Sequence, residues 1–426
     1  MRIGMLGPIA WRTPPRAYGP WEQVVSNLTE GLVSRGHDVT LFATGDSLTA
    51  ATLEWVAPHG YEEDPSVTPK VYEALHIARA IEQAARFDLI HNHFDFLPLT
   101  WSRLIDVPMV TTIHGFSSPA ILPVYRAYDG HVTYVAISHA DRDPSLMYAG
   151  TVYHGIRMAD FTFQPEPGEY AVVLGRIHPD KGVHLAIEAA TAAGLPLMIA
   201  GIVQDTDYFR RHVEPRLDGD RVRFLGPVGP AERDSLLGGA LALLHLVTFD
   251  EPFGLAMIEA MACGTPVIGM CRGAVPEVVV DGQTGVLVVD VAGAVRALRV
   301  VAGLDRGRCR TRVEERFTVD TMVRGYLDVC GRWSPRRADP LHVRGGQERQ
   351  QLGALGLNLL AQLRGQGGLG TAGQVEPAIG RRTQADAAPA ETVEQIRRGH
   401  SVRSSGRSAG WRDRSSATRR PRPVRR

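Results

Sequence analysis

Two glutamates eight positions apart, Glu251 and Glu259, bracket Pro252-Phe253-Gly254-Leu255, a segment suited to opening a helix. Pro252 fits a first helical position, and Gly254 lets another group approach the backbone closely. The N–H groups of Phe253, Gly254 and Leu255 would then lack helical partners. Together with the helix dipole they form a site for an anion such as a phosphate. Glu251, just ahead of the helix, would sit beside that anion, with Glu259 further along. Taken alone, the pair reads more readily as a helix cap, Glu251, and a solvated face, Glu259.

A second constellation is Leu174-Gly175-Arg176-Ile177-His178-Pro179-Asp180-Lys181-Gly182. Arg can grip a diphosphate bidentately, and Lys adds a compact point charge. The chain has 45 arginines but only two lysines, Lys70 and Lys181, so a lysine retained at this place asks for a reason. His114 ends an apolar run, and His154-Gly155 closes the first half of the chain. His91 and His93 stand two apart like a metal pair, but with no third ligand in spacing they read as packing residues. Asp205-Thr206-Asp207 spells an aspartate–any–aspartate pattern that can hold a metal, yet here it sits in a polar loop and reads as a decoy. Ser138 reads as the cap of a following helix.

Short apolar runs alternate with helical patterns and must hold these residues. Strands are expected at Arg2–Leu6, Val39–Ala43, Leu89–His91, Met109–Ile113 and Tyr134–Ile137, with a helix over Glu22–Arg35. After a polar connector at 164–169 the alternation restarts. Strands are then expected at Tyr170–Leu174, Pro196–Ala200, Val222–Leu225, Ala242–Val247, Pro266–Gly269 and Gly285–Val289. Strands alternating with helices imply parallel sheets of βαβ units. The fold class is α/β: two Rossmann-like doubly wound domains facing a cleft, with ligands beyond the carboxyl ends of the strands. The boundaries read as 1–160, 161–317, a final helix 318–333 returning to the first domain, and a tail from 334 to 426.

The run from Glu251 to Glu259, then Ala262-Cys263-Gly264-Thr265-Pro266 and Gly273-Ala274-Val275-Pro276-Glu277, resembles glycosyltransferase family 4. The resemblance spans nearly all of residues 1–332. It implies the GT-B architecture and retaining transfer from a nucleoside-diphosphate sugar to a hydroxyl acceptor, with no required metal or cofactor. It further implies that Glu251 contacts donor-sugar hydroxyls, Glu259 clamps the ribose, and Arg176 and Lys181 neutralise the leaving diphosphate. His114 matches a family histidine near the donor sugar, placed to bond hydroxyls or relay a proton. Relatives carry two adjacent glycines where this chain has Gly19-Pro20; Gly19 stays usable, but Pro20 has no N–H to donate. Glu22 keeps the family spacing and equally suits an exposed first-turn residue. UDP-glucose is the first donor to expect, from its frequency in the family. An epimerase of the same architecture, or a sugar-nucleotide-binding protein without turnover, remain the alternatives.

Composition narrows the partners. Residues 334–426 carry 18 Arg and 7 acidic residues, a net of +11, so the first 333 residues hold a net of −10. So acidic a folded part disfavours nucleic acid, and no nucleic-acid partner is expected. The tail is Arg-, Gly- and Gln-rich with Trp411 its one Phe, Tyr or Trp, a composition that suits disorder and that a shifted reading frame would also produce. No run approaches the roughly 18 apolar residues of a membrane span, although peripheral membrane contact stays open. The opening residues read as a buried strand rather than a signal peptide. Four cysteines without paired spacing fit a reduced, cytoplasmic setting.

Overall fold

The computed structural model describes residues 1–115 and 119–332. The tail expected to be disordered, 334–426, lies outside the described residues.

The first half builds β1 (Arg2–Leu6), α1 (Pro20–Val33), β2 (Asp38–Phe42), β3 (Thr52–Glu54), α2 (Pro69–Glu82), β4 (Leu89–Asn92), β5 (Met109–Ile113), α3 (Leu122–Tyr128), β6 (Thr133–Ala136) and β7 (Tyr148–Thr151). These strands form one parallel sheet in the order β3-β2-β1-β4-β5-β6-β7. The central strands are buried on both faces, which is why they read as unbroken apolar runs. The edge strands β3 and β7 were not expected. They are half-covered; β3 has Leu53 as its one apolar residue, and β7 is the short run Tyr148-Ala149-Gly150-Thr151, so their apolar signal is weak. Ser138 also departs from expectation. Its Oγ accepts the Asp141 amide at 3.0 Å, but the chain turns into β7 without forming a helix.

The second half adds β8 (Ala171–Leu174), α4 (Val183–Ala193), β9 (Leu197–Ala200), α5 (Thr206–Tyr208), β10 (Val222–Gly226), α6 (Pro230–Gly238), β11 (Ala242–His245), α7 (Leu255–Ala262), β12 (Val267–Met270), α8 (Val275–Val278), β13 (Gly285–Val288), α9 (Val291–Leu298) and α10 (Arg306–Arg316). Its sheet is again parallel, ordered β10-β9-β8-β11-β12-β13. In both sheets the order reverses beside the first strand, between β1 and β4 and between β8 and β11. Crevices open at such switch points, beyond the strands' carboxyl ends.

The last helix, α11 (Val319–Arg332), packs on the first sheet rather than the second. Gly31 on α1 makes room for it: a Cβ there would stand 2.6 Å from Val323. Tyr326 is buried and receives a 2.9 Å hydrogen bond from the Thr112 hydroxyl on β5. The chain thus crosses between the halves twice, and the crossings bond to each other, Ile156 N to Phe317 O at 2.9 Å and Val319 N to Ile156 O at 3.1 Å. Among the described residues, no helix is long and apolar enough to cross a membrane.

Candidate active site

Glycines bring the second sheet's strand ends together. A Cβ on Gly201, after β9, would lie 1.7 Å from the Gly175 carbonyl, after β8. Gly182 has φ +62°, and a Cβ there would lie 1.8 Å from the Leu246 carbonyl. Only glycine lets the turn before α4 press so closely on the end of β11. The turn is further tied by Thr248 N donating to Asp180 O at 2.8 Å.

That contact delivers Lys181 to Glu251. The ammonium Nζ lies 2.5 Å from Glu251 Oε2 and 4.9 Å from the centre of the Phe249 ring. His245 Nε2 stands 3.1 Å from the same oxygen, close enough for charge interaction but poorly aligned for a hydrogen bond. Burial alone would raise the Glu251 carboxyl. The Lys181 ammonium and His245 outweigh it and hold the group down at about 2, so it is ionised at neutral pH. Its backbone is fixed from behind by Ala274 N, 2.8 Å from Glu251 O, and by Gly273, where a Cβ would lie 2.3 Å from Glu251 N.

The helix after Glu251 begins later than expected. Gly254, at φ +86°, is the residue before its first turn and Leu255 is the first helical residue, so Pro252 precedes the helix instead of starting it. The consequence is local. Phe253, Gly254 and Leu255 still present amides with no partner among the described residues, at the head of an eight-residue helix. Glu259 is not a solvated face: it is buried, and Arg233 Nη1 lies 3.1 Å from its Oε1. Burial raises its carboxyl, and Arg233 opposes the rise. Arg176 is held by a hydrogen bond to the Gln204 side chain. Asp205 caps α5, accepting the Tyr208 amide at 2.8 Å.

The facing wall comes from the first sheet. Gly19, at φ +148°, precedes α1, where a Cβ would lie 2.8 Å from Pro15 and 3.0 Å from Glu22 Oε2. Pro20 is the first helical residue. Glu22 is not an exposed first-turn residue. It is 2% exposed, accepts the Trp11 amide at 3.2 Å, and is pushed up to about 7 by burial. His114, at the end of β5, is stacked by Trp21 with ring centres 5.2 Å apart. Its Nε2 lies 2.9 Å from His93 Nδ1 and its Nδ1 lies 3.4 Å from His154 Nε2. Burial lowers all three imidazoles, His154 to about 3, so the run is uncharged at neutral pH. Both ring nitrogens of His114 face histidines, and a bond to a sugar would replace one of them. His91 is buried and bonds the Thr112 hydroxyl at 2.9 Å.

All nine candidate residues, Gly19, His114, Arg176, Lys181, Glu251, Phe253, Gly254, Leu255 and Glu259, line one cleft with a volume of about 1370 Å³. At its base the two halves touch. The His154 ring meets Phe253 edge to face at 4.9 Å, and a Cβ on Gly115 would stand 2.7 Å from Pro252.

Known families match both halves of this arrangement. The family described as Glycosyltransferase Family 4 matches residues 21–143, and that described as Glycosyl transferases group 1 matches residues 159–299. The chain belongs to glycosyltransferase family 4. This glycosyltransferase is 28% identical over 360 residues to the glycogen synthase of Mycobacterium tuberculosis (strain ATCC 25618 / H37Rv), covering 71% of this chain and 86% of that protein. It is 27% identical over 319 residues to the phosphatidyl-myo-inositol mannosyltransferase of Propionibacterium freudenreichii subsp. shermanii, covering 66% and 80%. Its fold is that of Anabaena Alr3699/HepE, solved in complex with UDP and glucose, with a TM-score of 0.61 at 19% identity over 78% of this chain and 99% of that one.

Two donor-side residues of the glycosyltransferase site, and one residue outside the cleft lining that ties the halves together, escaped the sequence reading. Arg233 and His245 flank the two glutamates from α6 and β11, and no local pattern marks either. Glu277, on α8, reaches the other half: its carboxylate accepts the His139 and Ala140 amides at 2.9 and 2.7 Å and the Tyr153 hydroxyl at 2.8 Å. Its place in the run Gly273-Ala274-Val275-Pro276-Glu277 was the available signal.

Proposed function

We propose that this enzyme transfers glucose from UDP-glucose to an acceptor hydroxyl with retention of configuration and without a required metal, in the cytoplasm. The observation that carries the reading is the Lys181–Glu251 pair beside the open amides of α7. A diphosphate seated on those amides would meet Lys181, with Arg176 within the same cleft. These groups would stabilise charge on the diphosphate as the anomeric C–O bond breaks through an oxocarbenium-like state. Glu251, ionised and buried, would accept hydrogen bonds from donor-sugar hydroxyls, and Glu259 from ribose hydroxyls. The acceptor oxygen then bonds to the anomeric carbon on the face the diphosphate leaves, and its proton passes to a phosphate oxygen. No enzyme nucleophile is required. Gly19 would border the donor phosphate, and His114 the sugar. The UDP and glucose named for the Anabaena neighbour support the donor choice.

The test is nucleoside-diphosphate release from a panel of NDP-sugars, with and without pooled acceptors, in EDTA, with the product anomer read by NMR. Acceptor-stimulated release from UDP-glucose giving the α-product is expected. Glu251→Ala should lower release at least about 100-fold while donor binding persists. Unchanged turnover in that variant overturns the role of Glu251. An inverted product, or activity abolished by EDTA, overturns the stereochemical or the metal-free part.

A further inference from the structure

We propose that the acceptor is a sugar unit free of phosphate or other anionic groups, held on the first-sheet wall of the cleft by aromatic faces and carboxyl groups. This rests on the transfer reading above and narrows it to a substrate class. A cleft of about 1370 Å³ exceeds the roughly 300–1,000 Å³ of a pocket for one small ligand, so space remains beside a donor.

Charge divides that space sharply. The cations lining the cleft, Arg176, Lys181 and Arg233, all come from the second half. Among the described residues, the first-half lining contains no Arg or Lys, while it presents Glu22, Glu73 and Asp95. Arg16, on the loop nearby, is turned away to Asp46 and Glu63. Glu22 is the deepest of the three acids: it lines the cleft, is almost wholly buried, and accepts the Trp11 amide at 3.2 Å through Oε1. Each carboxyl oxygen carries two lone pairs, so the group keeps capacity to accept from a ligand hydroxyl.

The same wall carries Trp11, Tyr18, Tyr61 and Phe96. Trp11 and Tyr18 meet edge to face at 5.9 Å, leaving ring surface beside the carboxylates. A pyranose suits this mixture, with an apolar C–H face to lie on an aromatic ring and rim hydroxyls to donate to carboxylates. Asp95 is pinned in place at φ +71°, unusual for a residue other than glycine, by Tyr125 OH donating to Oδ1 at 2.7 Å and Asn92 Nδ2 donating to its carbonyl at 2.9 Å. A phosphorylated acceptor would lose its hydration against acidic groups that burial drives toward the neutral form, with no cation on that wall to answer its charge.

Matched pairs decide the matter on the full chain: glucose against glucose 6-phosphate, and myo-inositol against inositol 1-phosphate. Maltotriose joins the set to separate a chain end from a free sugar. The readouts are kcat/KM for UDP release and, independently of turnover, ligand-observed NMR binding to the UDP-saturated chain. The neutral member of each pair is expected to lead by at least tenfold in both. Glu73→Lys should shift the phosphorylated-to-neutral ratio upward about tenfold. If a phosphorylated sugar matches its neutral partner, or if no neutral member binds, the proposal falls. Neutral binding without turnover of any donor would instead sink the transfer reading and leave the binding class standing.

Discussion

The two walls of the cleft solve different problems with different residues. The second-sheet wall gathers Arg176, Lys181 and Arg233 around helix amides and two ionisable glutamates, an arrangement fitted to an anion. The first-sheet wall holds uncharged imidazoles, aromatic rings and carboxylates that burial drives toward the neutral form. Charge is paired on one side and suppressed on the other. The donor wall therefore depends on electrostatics fixed in advance, whereas the facing wall depends on shape and hydrogen-bonding capacity.

The sharpest way to break this contrast is to remove the cation that defines the donor wall. Lys181→Ala is expected to lower kcat about 100- to 1,000-fold, the scale for losing one preorganised stabilising group. It should also move the acid limb of the rate profile. Glu251 is held down at about 2 chiefly by Lys181 against its burial, so without the ammonium its carboxyl rises and protonates at higher pH. Activity that needs the carboxylate would then be lost on acidification at a pH well above the wild-type limit. Lys181→Arg keeps the charge and guards against simple misfolding from an uncompensated buried acid. An unmoved acid limb in Lys181→Ala with Lys181→Arg fully active would show that the pair is structural.

The walls also differ in how far the sequence discloses them. Donor-side residues come from two contiguous runs, 174–182 and 251–259, because a strand end followed by a helix start must carry its ligands within a few positions. Even there, the partner of Glu259 was invisible. Arg233 lies 26 positions away on α6, and only the packing of α6 on α7 brings it close. The facing wall is assembled from the loop after β1, the start of α1, α2 and the ends of β4 and β5, so Glu22, Glu73 and Asp95 share no spacing in the chain. Glu22 shows the limit most plainly. Its place in a first helical turn suggests exposure, but the loop carrying Trp11 folds over it. The alternating apolar runs located the central strands within a residue or two, because those strands are buried on both faces. The edge strands β3 and β7, with one neighbour each, left almost no pattern.

Glu22 offers a second and smaller test, on stability. Its folded carboxyl sits at about 7, above the value near 4.5 of an exposed glutamate. A raised folded value means that its contribution is fully present below about pH 4.5 and is lost as pH rises through 7. Glu22→Gln is neutral at every pH and should flatten that slope. The variant should be about 1–3 kcal/mol more stable than wild type at pH 8, with the advantage shrinking by pH 5. Thermal melting across pH 5–8 reads this directly, and parallel profiles for the two proteins would mean that Glu22 is already ionised in the folded chain.

The smallest effect expected is at the joint between the walls. Glu277 belongs to the second half, yet its carboxylate answers two amides and a hydroxyl from residues 139, 140 and 153. A carboxylate can accept all three because both oxygens carry lone pairs. Gln keeps one carbonyl oxygen and turns an NH2 toward an amide that also donates. Glu277→Gln should therefore loosen the contact at a cost of about 0.5–1.5 kcal/mol, the net range for a typical hydrogen bond, since the amides of the exposed His139 and Ala140 can turn to water. The core of each half is untouched, so the melting temperature should change by only about 2–4 °C. What should change is the distribution of separations between the halves, visible as a larger radius of gyration by small-angle scattering, together with a 3- to 10-fold fall in kcat/KM. The two readouts must move together, because a cleft held open admits water and misplaces the acceptor relative to the donor. A fall in kcat/KM with unchanged scattering would assign Glu277 to one wall rather than to the tie between them.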